Sequence, residues 1–305
     1  MKRAWIRTTI CLVLLLSFLF TARAAAEGVS MEAEVGYGGT YLLNSWTPVR
    51  VTLKNAGNDM EGTLEVSANI ADQQRIIYST PVNLPKDSEK EYTIYVIVPD
   101  AANSFSINLT NGSGKIVQSL NVKDLRSIGE NNYLLGLVTD DQPSLGYWRV
   151  EMAGNQLFNY EPISLNAANF PDRREELSAF SVLIFNNINT GEFRPEQLDT
   201  LKAWLEDGGV LIAGTGVNGK RTISGLSDGI LAIGAGELKA LESNQVLEEY
   251  AGKGIESAIP LQVMDLRIEN SRQLLGNAEA GLVWSVQRGR GTVFAAAFDL
   301  GTEPF

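Results

Sequence analysis

The chain has 305 residues, 25 Lys and Arg against 36 Asp and Glu, a single cysteine and no histidine, for a net charge of −11. Such an acidic balance suits neither nucleic acid nor an anionic lipid surface, since both are polyanions. The missing imidazole removes the commonest general base and the commonest zinc ligand.

The first 26 residues read as a leader. Lys2, Arg3 and Arg7 precede the apolar run Thr8 to Phe20, and small residues follow at Ala22, Ala24 and Ala26. This is the n-region, h-region and AxA-like site of a secretory signal, with cleavage expected after Ala24 or Ala26. The alternative is an uncleaved anchor, for which the apolar run is short. Cleavage after Ala26 removes Cys11 and four basic residues, Lys2, Arg3, Arg7 and Arg23, taking the net charge from −11 to −15. The expected location is extracytoplasmic, in the cell envelope or secreted.

Residues 27–124 carry short alternating segments: TPVRVTLKN, GTLEVSAN, KEYTIYVIV, SFSINLT and KIVQSLNV. Turn formers separate them at Asn55 to Asn58, Pro85 to Ser88, Pro99 to Asn103 and Asn111 to Gly114. In KEYTIYVIV, Tyr92, Ile94, Val96 and Val98 share one face, and Thr93, Tyr95 and Ile97 the other. The pattern predicts an antiparallel β-sandwich of about seven strands. Trp46, at a strand start, is read as a core plug rather than a sugar-stacking aromatic and receives no binding role. Two sequon matches, Asn108-Leu-Thr and Asn111-Gly-Ser, are short enough to arise by chance.

Residues 125–132 are polar and form the expected linker, and a second domain runs over 133–305. It opens on the apolar strand YLLGLVTDD, followed by helical potential over Leu145 to Met152, a short strand at Glu161 to Leu165 and a short helix at Asp172 to Leu177. The most legible stretch is Ser181 to Gly216. Val182 to Phe185 and Val210 to Ala213 are apolar runs without alternation, the signature of strands buried on both faces. Between them Pro195 opens a helix whose Leu198, Leu201, Trp204 and Leu205 make one apolar face, and Gly208 and Gly209 stop it. Strand, helix and strand imply a βαβ unit. GELKALESNQVLEEYAG is a candidate helix, LQVMDLRI a strand, and AGLVWSVQRGRGTVFAAAFDL an antiparallel hairpin around Gly289 to Gly291. The expected fold class is therefore multidomain: an all-β sandwich followed by a doubly wound α/β sheet, mostly parallel, with helices on both faces and a C-terminal hairpin.

Two resemblances sharpen this. Trp46, Pro48 and Val49 entering a strand that ends in Lys54, Asn55 and Gly57, then Gly62 and the proline-bounded Val82-Asn83-Leu84, resemble the immunoglobulin-like modules of bacterial envelope proteins. The strand Tyr133 to Asp140, SVLIFNN, PEQLDTLKAWLEDGGVLIAGTG and GRGTVFAAAFDLGTEPF resemble class I glutamine-amidotransferase-like domains, flavodoxin-like in topology. The resemblance implies a cysteine nucleophile after a strand with a histidine and a carboxylate to activate it. Here that strand ends in Ala213-Gly214-Thr215-Gly216, so a domain without the catalytic triad is expected, with no catalytic residue, metal or cofactor. Relatives of this layout continue past the equivalent of FDLGTEPF into a membrane-spanning helix, which implies an anchor beyond Phe305.

Open α/β sheets bind ligands at the carboxyl ends of their strands. A small-molecule site is therefore expected at Asp140, Asp141, Asn186, Asn187, Gly214, Thr215 and Gly216. Gly214-Thr215-Gly216 lacks both the lysine of a P-loop and the third glycine of a dinucleotide site. Asp140 with Asp141 is a weak cation pair, and no EF-hand spacing of acids occurs. The expected function is a non-catalytic envelope scaffold whose partners are other envelope or membrane proteins and not nucleic acid. The alternative is a hydrolase that uses Thr215 or carboxylates such as Asp299 and Glu303.

Overall fold

The structure is a computed structural model that describes residues 28–69, 76–99, 101–102, 104–129, 132–148, 159–226, 229–241, 243–252, 254–255, 259–277 and 280–302. The expected leader with Cys11, the second half of the expected helix over Leu145 to Met152, and the residues Glu303 and Phe305 lie outside the described residues.

The first nine strands are β1 (Val29–Val35), β2 (Thr40–Leu42), β3 (Trp46–Asn55), β4 (Met60–Asn69), β5 (Ile77–Leu84), β6 (Ser88–Ile97), β7 (Ser104–Asn111), β8 (Ile116–Val122) and β9 (Arg126–Ile128). They form a three-stranded antiparallel sheet, β1-β3-β6, facing a four-stranded antiparallel sheet, β5-β4-β7-β8. Alternation places every second side chain inward. Val49, Val51 and Leu53 of β3 thus meet Leu64 and Val66 of β4 and Phe105, Ile107 and Leu109 of β7 in one core, all at 0% exposure. Each such side chain contributes about 1.5–3 kcal/mol.

The remaining strands are β10 (Asn132–Val138), β11 (Asn159–Leu165), β12 (Phe180–Phe185), β13 (Val210–Gly214), β14 (Ile233–Ala240), β15 (Gln262–Ile268), β16 (Arg272–Gly276), β17 (Gly281–Arg288) and β18 (Gly291–Ala296). Among them run the helices α1 (Arg174–Leu177), α2 (Pro195–Glu206), α3 (Gly219–Ile223) and α4 (Gln245–Ala251). A seven-stranded mixed sheet has the order β11-β10-β12-β13-β18-β17-β16. Its first five strands are parallel and its last two antiparallel. The hairpin strand β18 lies inside the sheet beside β13, and β17 and β16 extend it to the edge.

On one face Leu177 of α1 and Leu201, Trp204 and Leu205 of α2 pack on Leu183, Phe185, Leu211, Ala213 and Val293. The other face is different. Leu135, Leu137 and Ile184 are covered by Val263, Met264 and Leu266 of the two-stranded β14–β15 ribbon and by Leu247 of α4.

This corrects the expected fold class. The described chain is 51% strand and 17% helix, distributed over several mixed and antiparallel sheets, so it is mostly β rather than a doubly wound α/β fold with helices on both faces behind an immunoglobulin-like sandwich. The physical cause is local. GELKALESNQVLEEYAG does not form one helix, because its first part pairs with β15 and only Gln245–Ala251 turns helical. The local helix preference of residues 237–240 is worth only tenths of a kcal/mol per residue, about the size that a cross-strand partner can override.

The two halves are in contact. β2 and β9 pair in parallel, which places part of residues 125–132 in a strand. Tyr37 stacks edge-on against Phe180 at 4.9 Å and donates its hydroxyl to the Glu176 carbonyl at 3.1 Å. The Glu176 carboxylate, on a residue only 4% exposed, is ion-paired with Arg50 of β3 and accepts from the Tyr95 hydroxyl at 3.3 Å. Burial raises the pKa of both phenols.

Candidate functional site at the strand ends

Four adjacent parallel strands, β10, β12, β13 and β18, end along one edge of the sheet, and the polar residues just beyond them are brought together. The Asn186 amide N–H donates to the Val138 carbonyl at 3.1 Å and that of Asp140 to the Asn187 carbonyl at 3.2 Å, so β10 and β12 stay stitched past their last strand residues. Asn187 follows at φ +52°, a conformation that asparagine tolerates better than most residues.

At the centre is Asp299, 7% exposed, beyond the end of β18. Its Oδ1 accepts from Asn186 Nδ2 at 2.8 Å and from the Gly301 N–H at 2.8 Å, and its Oδ2 accepts from Asn187 Nδ2 at 2.8 Å. Asn186, fully buried, completes its own amide by accepting the Leu300 N–H at 2.9 Å through Oδ1. Asn187 Oδ1 accepts from Asn218 Nδ2 at 3.0 Å. From the other side Tyr147 donates to the Leu300 carbonyl at 2.6 Å, and burial pushes its phenol up to about 12.

The glycines are spacers within this network. A Cβ on Gly214 would collide with the Asn186 amide oxygen, and one on Gly216, at φ +74°, would lie 2.7 Å from the Asp299 nitrogen. Thr215, 1% exposed, donates its hydroxyl to the Ala296 carbonyl at 2.8 Å, while its N–H is shared between the Ala296 and Phe298 carbonyls.

The structure brings Asn186, Asn187, Gly214, Thr215 and Gly216 together around Asp299, a residue that the sequence offers as a strand terminator or, in the hydrolase alternative, as a carboxylate. Asp140 is at the periphery and exposed, accepting from the Asn189 N–H at 3.2 Å and from Arg221 at 3.4 Å. Asp141 is also exposed. It precedes the 3₁₀ turn Gln142–Leu145 without a side-chain cap, and its carbonyl takes the Ser144 hydroxyl at 2.7 Å. Asn218, Arg221 and Leu300 were missed because their roles depend on where the chain returns.

The chemistry of this edge is that of a closed polar network. A carboxylate surrounded by N–H donors offers a cation few free lone pairs, and among the described residues no three His, Cys, Asp or Glu side chains group closely enough to hold a metal. Thr215 as a nucleophile needs its proton taken by a positioned base, whereas its hydroxyl is committed to a backbone carbonyl.

Comparison with known proteins reaches only part of the chain. A family described as a domain of unknown function (DUF8726) matches residues 28–123, which contain all seven strands of the sandwich. No curated protein matches. Among solved structures the chain is similar to Spo0M, a sporulation control protein from Bacillus subtilis, at 10% identity over 33% of this chain and 49% of that one, with a TM-score of 0.24. It therefore spans about half the length of that relative. It is also similar to the CARDB domain of the PF1109 protein from Pyrococcus furiosus, solved in complex with di-metal ions, at 16% identity over 33% and 87% of the two chains, again with a TM-score of 0.24. Likenesses at that level carry no argument about function.

Proposed function

We propose that this is an exported, non-catalytic protein of the cell envelope, working as a scaffold that holds other envelope proteins or a small ligand and turns nothing over. The observation that carries this is the self-satisfied strand edge. Asp299 accepts from Asn186, Asn187 and Gly301, and the Thr215 hydroxyl donates to Ala296, so the position where an open sheet would present a nucleophile and base is spent on its own hydrogen bonds. The absence of histidine and the acidic charge agree with it.

The test combines turnover and location. Purified protein is assayed for ammonia release from glutamine and for hydrolysis of aryl glycosides, and its compartment is determined by fractionation. The expected result is no turnover, with the chain in the extracytoplasmic fraction. Ammonia release or glycoside cleavage that disappears in Asp299→Asn or Thr215→Ala, in a folded variant, overturns the reading.

A further inference from the structure

The sheet's other edge, where β12 and β13 begin, opens into a cleft of about 690 Å³ between the two halves of the molecule. That volume lies within the roughly 300–1,000 Å³ of ligand clefts, and a boundary between two packed units is a common place for one. Trp46, at the start of β3, lines it from the sandwich. Trp204 of α2, Arg174 and Glu175 of α1, Ser178 and Asp207 line it from the mixed sheet.

The side chains restrict what fits. Trp46 is half-buried, its indole part of the cleft wall, and Trp204 is held in place by donating its N–H to the Phe180 carbonyl at 3.0 Å. Around the indoles are hydrogen-bonding groups of both kinds. Ser178 and Glu175 are exposed, and the Asp207 carboxylate is shared by Arg174 and, at 3.4 Å, Arg290. Helix α2 ends here, with Asp207 as its C-cap, so the negative end of its dipole points into the cleft. An anion is disfavoured by that dipole, by Glu175 and by arginines already paired with Asp207. A cation finds Asp207 already held by Arg174 and Arg290 and only the exposed Glu175 left, a pairing that solvent screens. A purely apolar ligand would leave the carboxylates and the guanidinium desolvated, which costs several kcal/mol. The class that remains is neutral, rich in hydroxyl donors and acceptors, and apolar on one face.

We propose that this cleft is a binding site for a neutral oligosaccharide of hexopyranose units. The C–H face of a ring stacks on Trp46, and the hydroxyl rim is read by Ser178 and by Glu175, whose planar carboxylate accepts a pair of adjacent hydroxyls. The site is separate from the strand-end network, so the proposal goes beyond the scaffold reading and stands or falls independently of it. It also gives Trp46 a role other than the core plug suggested by its position in the sequence.

The test is calorimetric titration of the purified protein with cellotetraose, maltotetraose and N,N′,N″,N‴-tetraacetylchitotetraose, with adenosine as a planar aromatic control and inorganic phosphate as an anion control. Saturable heat is expected with at least one of the oligosaccharides and with neither control. Affinity falls about tenfold or more in Trp46→Ala and several-fold in Glu175→Gln and Ser178→Ala. The last two positions are exposed, so they decide the matter even where Trp46→Ala perturbs folding. Absence of heat with all three oligosaccharides, undiminished affinity in Glu175→Gln and Ser178→Ala, or binding of adenosine or phosphate instead overturns the proposal. Because it reads neither turnover nor location, this experiment fails separately from those that test the scaffold.

Discussion

Glu176 and Arg50 are 126 positions apart and form an ion pair across the boundary between the sandwich and the mixed sheet, with the carboxylate side chain 5% exposed and the guanidinium 24%. Glu176 belongs to a one-turn helix and Arg50 to a central strand, so the contact reports on how the halves are docked. Removing Arg50 leaves the buried charge with Tyr95 as its remaining side-chain donor. Arg50→Ala is expected to cost about 3–5 kcal/mol in urea unfolding, and Glu176→Gln less, because glutamine carries no charge to strand. Equal effects would mean that the charge pairing does not hold the boundary.

Alkaline pH provides a second measurement. Burial raises the phenols of Tyr37 and Tyr95 and pushes Tyr147 to about 12, against 10.0 for a free tyrosine. Below pH 10 both the folded and the unfolded chain keep these groups neutral, and their contribution is fully present. Above it the unfolded chain ionises first and binds fewer protons, so stability falls as pH rises from about 10 to 12. Urea midpoints at pH 9, 10, 11 and 12 should show the decline, and Tyr147→Phe should make it shallower.

The strand-end network is expected to be structural. Asn186→Ala leaves the Leu300 N–H unsatisfied in a buried site and takes one of the two donors from Asp299 Oδ1, where Gly301 remains, a loss of about 1–3 kcal/mol. Asn186→Asp is worse, because it places a second carboxylate against Asp299, and its penalty should grow as pH is raised from 4 to 7. A midpoint that is flat across that range would remove the assignment.

Close packing makes two glycines intolerant of a side chain. Gly209 lies against the Trp204 ring, where a Cβ would overlap it, and Gly216 combines φ +74° with the 2.7 Å approach to Asp299. Each alanine substitution is expected to cost about 1–3 kcal/mol by displacing backbone or ring. Thermal denaturation measures both, and Gly114→Ala, which has a positive φ and open surroundings, separates the conformational share from the steric one.

Export is tested on the polypeptide itself. Intact-mass measurement of the protein recovered from its native host should give a chain beginning at Ala25 or Glu27, without Cys11. A chain that still carries Lys2 and Arg3 would favour the anchor.

Ser181 to Gly216 was readable because each signal in it agrees. An apolar run becomes β12, Pro195 and the Leu198, Leu201, Trp204 and Leu205 face become α2, and paired glycines precede β13. Residues 233–240 were not readable: Glu237, Leu238, Lys239 and Ala240 favour helix locally, and their strand exists because Gln262–Ile268 returns to pair with them. The strand-end residues could be found because strand termini are visible in a parallel sheet, whereas Asp299 as their centre could not, since its partners lie 112 and 113 positions away. The cleft was hidden for the same reason, as no periodicity in β3 announces that Trp46 faces α1 across a boundary.

The parallel pairing of Thr40–Leu42 with Arg126–Ile128 has a mechanical consequence. Residues 126–128 of the joining segment are thereby tied to the unit the chain has just left, which shortens the stretch free to act as a hinge between the halves.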